Sequence, residues 1–118
     1  MTSPESSLLA LGDRNRLLLL RLILEKPQSV GELTRISGLG QSLVSHHLAV
    51  LARHGWVSAR REGRQRIYGP AVTGSPLVTV AGWIKRQVAI PTQWRNQVQA
   101  GESVRSTRDH DDLEDFLL

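Results

Sequence analysis

Two short capped helices joined by a glycine-containing turn, an arginine-rich pair of alternating segments directly after them, and a leucine-rich helix before them predict the fold class. It is mainly α with a small β-hairpin wing: a winged helix-turn-helix, dimeric.

The elements follow in order from local signals. Ser3 is placed to cap a first short helix with Pro4 at its first position and Glu5 in its first turn, running through Leu8, Leu9 and Leu11 to Gly12. Asp13 caps the next helix, which continues to about Glu25 before Pro27 forbids it. Leu17, Leu18, Leu19, Leu20, Leu22, Ile23 and Leu24 make that helix apolar almost all round, which predicts burial on more than one side. A central core helix is the plainer explanation. Because a chain this small has few other elements to bury it, contact with a second copy, joined by the short first helix, accounts for the excess as well, and a homodimer is expected. Ser29-Val30-Gly31-Glu32 is a capping box opening a helix that carries Leu33 and Ile36 and stops at Gly38. A further helix covers roughly Gln41–His54 and ends at Gly55.

Beyond Gly55 the period changes. Trp56–Arg61 and Arg64–Tyr68 alternate around Glu62-Gly63 and predict a hairpin with a tight turn there. Leu77, Val80, Ala81, Ile84 and Val88 then form one stripe of a helix from about Pro76 to Ile90, which Pro91 ends. Thr92–Ala100 is expected to form one more short helix around Trp94, with Gly101–His110 a polar linker. The predicted division is a domain over residues 1–90 and a C-terminal extension over 91–118.

Composition narrows the chemistry. The chain has 118 residues, one domain's worth, and contains no cysteine, which excludes disulfide frameworks, thiolate metal sites and cysteine nucleophiles. No nucleophile is paired with a base and no glycine loop suits a phosphate, so an enzyme is not expected. Met1–Ser7 holds no basic group and the apolar runs are broken by Arg21 or end at Lys85, which predicts a cytoplasmic protein with no membrane partner. The net charge of +4 conceals a division: residues 1–95 carry +8 and residues 96–118 carry −4.

A wheel at 100° per residue places Val44, His47, Leu48 and Leu51 of the Gln41–His54 helix in one packing arc, edged by Leu43, Val50 and His54. The opposite arc collects Ser42, Ser45, His46, Ala49 and Arg53, with Gln41 at the helix start. Such a face suits the major groove of double-stranded DNA. Groove edges present donors, acceptors and methyl groups that Gln, Ser, Arg and Ala can address, whereas carboxylates would repel phosphates. An ordinary solvated face is the plainer explanation of those residues alone. The hairpin adds Arg60, Arg61, Arg64 and Arg66 against the single acid Glu62, a composition fitted to phosphates or a narrow minor groove.

These residues resemble the ArsR/SmtB family of bacterial winged-helix transcriptional regulators. The matching stretches are Leu11-Gly12-Asp13-Arg14-Asn15-Arg16, Val44-Ser45-His46-His47-Leu48-Ala49-Val50-Leu51, Gly55-Trp56-Val57, and Arg61-Glu62-Gly63-Arg64 through Tyr68, within about residues 5–90. The resemblance implies a homodimer that binds an inverted-repeat operator, blocks a promoter, and releases DNA when an effector, often a metal ion, binds. It also implies that the first and last helices form the dimer interface. The family's thiolate sites need cysteines that this chain lacks, and its His/carboxylate site has no counterpart because Leu77–Ile90 contains no His, Asp or Glu.

Of the four histidines, His47 is expected to be a satisfied packing residue, and His54 is too far along the helix to share a metal with it. His110 has the ligand-rich neighbourhood Asp109-His110-Asp111-Asp112, whose donor types favour Ni²⁺ or Zn²⁺ as a divalent effector. Leu113, Phe116 and Leu117 recur at helical spacing in the same acidic tail, which suits docking on a protein partner or on the basic wing; simple disorder is the plainer alternative. The resulting expectation is a sequence-specific DNA-binding regulator, a repressor. The competing class is a winged-helix protein-interaction or dimerisation module whose acidic tail recruits a partner.

Overall fold

The computed structural model describes residues 3–71 and 75–105, with side chains through residue 100. Helix α1 (Pro4–Leu9) passes into a 3-10 turn (Ala10–Gly12) and is followed by α2 (Arg14–Glu25), β1 (Gln28–Ser29), α3 (Val30–Ser37) and α4 (Gln41–Arg53). Strands β2 (Val57–Glu62) and β3 (Gln65–Pro70), then α5 (Leu77–Gln87) and α6 (Thr92–Arg105), complete the order.

The predicted caps form. The Ser6 N–H donates to Ser3 Oγ at 3.1 Å, the Arg16 N–H to Asp13 Oδ1 at 3.0 Å, and the Glu32 N–H to Ser29 Oγ at 3.1 Å. Each satisfies a first-turn donor that the helix itself leaves open. At the far end of α3, Gly38 takes φ 71°, a left-handed stop that a side chain would strain.

Helix α2 is the centre of the core. Leu19, Leu20, Leu22 and Ile23 are fully buried against Leu33 and Ile36 of α3, Val44, Leu48 and Leu51 of α4, Trp56, and Ala81 and Ile84 of α5. Each such side chain contributes about 1.5–3 kcal/mol by leaving water. One chain therefore buries most of the leucine surplus around a central core helix, with Leu17 and Leu24 left partly buried. Arg21, buried in the same helix, donates from Nε to Val88 O at 2.8 Å and pairs with Glu25 at 3.0 Å. The bond to Val88 fixes the end of α5 upon α2.

The antiparallel sheet has the order β1-β3-β2. Strand β1 was not expected; its two residues pair as Gln28↔Tyr68 and Ser29↔Ile67, which brings the start of α3 against the hairpin. The hairpin turn lies one residue later than predicted. Glu62 pairs with Gln65, so the two loop residues are Gly63 and Arg64, with Gly63 at φ 62°. A positive φ at the first loop position suits a type II′ turn, which glycine adopts at no steric cost.

Two helix ends also differ from expectation. Helix α5 stops at Gln87, short of Ile90, because Val88 turns extended and its carbonyl accepts from Arg21. Helix α6 runs on to Arg105, through the first half of the segment expected to be a polar linker. Its Trp94 and Val98, one turn apart, pack against the core, while Arg35 Nη1 of α3 donates to Gln97 O at 2.9 Å and Gln97 Oε1 at 3.1 Å. The extension beyond residue 91 thus begins with a helix docked beside α3. Among the described residues no helix is long and apolar enough to cross a membrane.

Candidate nucleic-acid interface

Helix α4 is divided as its pattern requires. Val44, His47, Leu48 and Leu51 are buried, while Gln41, Ser42, Ser45, His46, Ala49 and Arg53 are exposed. The N-cap is Gly40, which offers no side-chain acceptor, so the first-turn N–H groups of α4 remain open beside Gln41.

The wing sorts its arginines by strand alternation. Arg61 stands opposite Arg66, and both are exposed; Arg60 stands opposite the buried Ile67 on the other face. Arg60 Nη2 lies 2.9 Å from Glu62 Oε2 with both side chains half-buried. The four wing arginines grouped together in the sequence are therefore not equivalent: Arg60 is held by the hairpin's own acid. Arg61, Arg64 and Arg66 form no ion pair among the described residues.

The fold brings four predicted site residues into one groove of about 330 Å³. Gln41 and Ser45 of α4 face Arg64 and Arg66 of the wing across it, and Ser29–Gly31 at the start of α3, with Gln65, closes it. Among the described residues no acid lines this groove. Ser42, His46, Arg53, Arg60 and Arg61 lie outside its lining, and Arg53 is about 18 Å from Gln41 along the helix axis. The contribution of Ser29–Gly31 was missed in the sequence. Its capping box marked a helix start, but only the β1–β3 pairing turns that start toward the wing.

Behind the exposed face of α4 lies a polar cluster. Arg16 Nε donates to His47 Nδ1 at 3.3 Å and Arg16 Nη1 to Ala10 O at 2.9 Å, while Asp13 Oδ1 lies 3.8 Å from His47 Nε2. Burial pushes the His47 pKa down and the Arg16 charge adds to this, against the opposing pull of Asp13. The Asp13 carboxyl is itself lowered, chiefly by the backbone N–H of Arg16. His47 is thus a satisfied, neutral packing residue, as its pattern predicted. No group of three or more His, Cys, Asp or Glu side chains among the described residues is arranged to hold a metal ion. Asp109, His110, Asp111 and Asp112 lie outside the described residues.

Outside the groove, large apolar side chains of α1 and α5 are exposed. Leu8 and Leu9 on α1 and Val78 and Trp83 on α5 are 49%, 70%, 49% and 56% exposed. Pro4 and Ser7 of α1 share a cleft with Pro76, the N-cap of α5, and Leu77, so the start of α5 adjoins α1. Trp83 was not singled out in the sequence, because it flanks the buried stripe of α5 by a position that periodicity leaves ambiguous.

Residues 13–59 match the family model described as bacterial regulatory protein, arsR family. The chain is 41% identical over 69 residues to the "Probable mercury resistance operon repressor" of Streptomyces lividans, covering 58% of this chain and 53% of that protein. It spans about half the length of the curated relatives it matches. Among solved structures it is similar to reduced HlyU from Vibrio cholerae, with TM-score 0.64 and 30% identity over 72% of this chain and 87% of that one. It is also similar to the homodimeric winged helix-turn-helix DNA-binding domain of Mb0332 from Mycobacterium bovis, with TM-score 0.61 and 26% identity over 83% and 78% of the respective chains.

Proposed function

The chain belongs to the arsR family of bacterial regulatory proteins, and from that premise we propose that it is a transcriptional regulator that binds double-stranded DNA as a homodimer. The observation that carries this reading is the groove in which Gln41 and Ser45 stand across from Arg64 and Arg66, with no acid lining it among the described residues. Gln41, Ser42, Ser45 and His46, in the first turns of α4, address base edges in the major groove. Arg61, Arg64 and Arg66 hold phosphates or enter the minor groove, and Arg53 reaches a phosphate from the far end of α4. Arg60 braces the wing through Glu62.

The exposed apolar surface of α1 and α5 supplies the contact with a second copy. Two-fold symmetry then requires an inverted repeat with half-sites about 34–36 Å, or a multiple, apart. A dimer seated on such a site occludes a promoter and acts as a repressor in the cytoplasm, where bacterial DNA lies.

Selection of bound duplexes from a random pool tests this reading. Recovery of an inverted repeat supports it, and recovery of no shared sequence overturns it. Repeating the selection with Ni²⁺ and with Zn²⁺ tests the expectation of an effector at Asp109, His110, Asp111 and Asp112. The described residues do not supply a metal site of the kinds the family uses, so no metal step enters the reading.

A further inference from the structure

We infer that the acidic segment Asp109–Asp115 of this chain docks in the basic groove between α4 and the wing when DNA is absent, and so competes with DNA for it. The inference rests on the DNA-binding reading of that groove and adds a regulator of it carried in the same chain.

Three observations support the occupant. The first is charge. Among the described residues Arg64 and Arg66 line the groove with no acid beside them, and neither they nor the adjacent Arg61 forms an ion pair. Five of the seven residues 109–115 are acidic, a density of negative charge close to that of the phosphates the groove would otherwise take. The second is position. Helix α6 is anchored to α3 through Arg35 and Gln97, and the first turn of α3 is a wall of the groove. From that wall to Gln97 and on to the end of α6 is a span of about 30 Å at most, taking 1.5 Å per helical residue and one long side chain.

The third is reach. Asp109–Asp115 lies four to ten residues beyond Arg105, and ten residues of extended chain cover up to about 35 Å. Glu114 and Asp115, nine and ten residues on, reach the groove in whichever direction α6 points, and Asp109, within about 14 Å of Arg105, reaches it where α6 ends toward the wing. A short tether of this kind holds the segment at an effective concentration in the millimolar range, so contacts too weak to detect between separate molecules still occupy the groove.

The experiment uses the full chain and a full-length variant carrying Asp109→Asn, Asp111→Asn, Asp112→Asn, Glu114→Gln and Asp115→Asn. Amide shifts are compared at about 50 mM salt, and affinity for a selected duplex is measured from about 50 to 300 mM salt. The expected result is that amides of Gln41, Ser45 and Arg64–Arg66 move between the two proteins, and that the variant binds DNA about threefold or more tightly at low salt with the difference closing at high salt. Unmoved groove amides overturn the inference even if affinity rises, because the tail then acts through net charge alone. Shifts confined to α1 and α5 overturn it as well. Groove shifts in proteins that bind no duplex uphold the docking and refute the DNA-binding reading.

Discussion

Arg16 of α2 donates from Nε to Nδ1 of His47 on α4 at 3.3 Å, so the inward face of the helix that carries the groove residues is keyed to the start of the core helix. The acceptor must be a neutral imidazole nitrogen, which agrees with the depressed pKa of the buried ring.

This pair predicts a pH dependence of stability. The folded-state pKa of His47 lies below its ordinary value of 6.5, so the unfolded chain takes up the proton first as pH falls. Stability present above about pH 6.5 declines below it, down to the folded-state pKa. The urea midpoint should fall between pH 7.5 and pH 5.5, and His47→Gln should flatten that fall. Asp13 acts in a separate window, because its lowered carboxyl loses its contribution only as pH drops below the ordinary value of 3.8. An equal pH slope in His47→Gln and wild type would remove His47 as the cause.

Trp56 fastens the N-terminal helix. Its indole N–H donates to Ser7 O at 2.7 Å in a fully buried setting, and Ser7 Oγ donates to His54 O at 2.8 Å. Trp56→Phe keeps most of the apolar volume but leaves the Ser7 carbonyl without its donor, at a cost of about 1–3 kcal/mol. Chemical denaturation measures this; a change within about 0.5 kcal/mol would show that α1 does not depend on the bond.

The docking of α6 divides into a polar latch and an apolar anchor. Arg35 is exposed, so Arg35→Ala is expected to cost less than about 1 kcal/mol. Trp94→Ala removes part of the packing on the core and should raise hydrogen exchange across residues 92–100 far more than Arg35→Ala does. Equal exchange in both variants would place the anchor elsewhere.

The apolar surface of α1 and α5 predicts the oligomeric state. Trp83→Glu puts a charge on an exposed ring position that the monomer does not need, so the fold should survive. Sedimentation is expected to show a dimer for wild type and a monomer for the variant. A dimer in both would move the interface away from Trp83.

What was legible in the sequence was local. The caps at Ser3, Asp13 and Ser29, the stop at Gly38 and the two faces of α4 follow from residues within a few positions of one another, and all appear in the structure. Strand β1 was not legible, because two residues show no period and Gln28 becomes a strand only by meeting Tyr68 forty residues on. The same long-range pairing brings Ser29–Gly31 to the groove. The wing arginines looked alike until the register set Arg60 beside Glu62 and Arg61 opposite Arg66. Helix α6 was shortened in expectation because beyond Trp94 and Val98 it is polar, and its docking depends on Arg35, a residue sixty positions away in the chain.

The central claim is that the groove between α4 and the wing is where DNA binds. Measuring the affinity of the Arg64→Ala/Arg66→Ala double variant for a selected duplex across salt concentration tests it most directly, with Arg60→Ala as the comparison. Removing one arginine–phosphate pair should reduce the slope of log K against log salt by about 0.9, so the double variant should bind more weakly with a slope lower by roughly 2 per chain. Arg60→Ala should leave the slope unchanged. Wild-type affinity and slope in the double variant would contradict the claim.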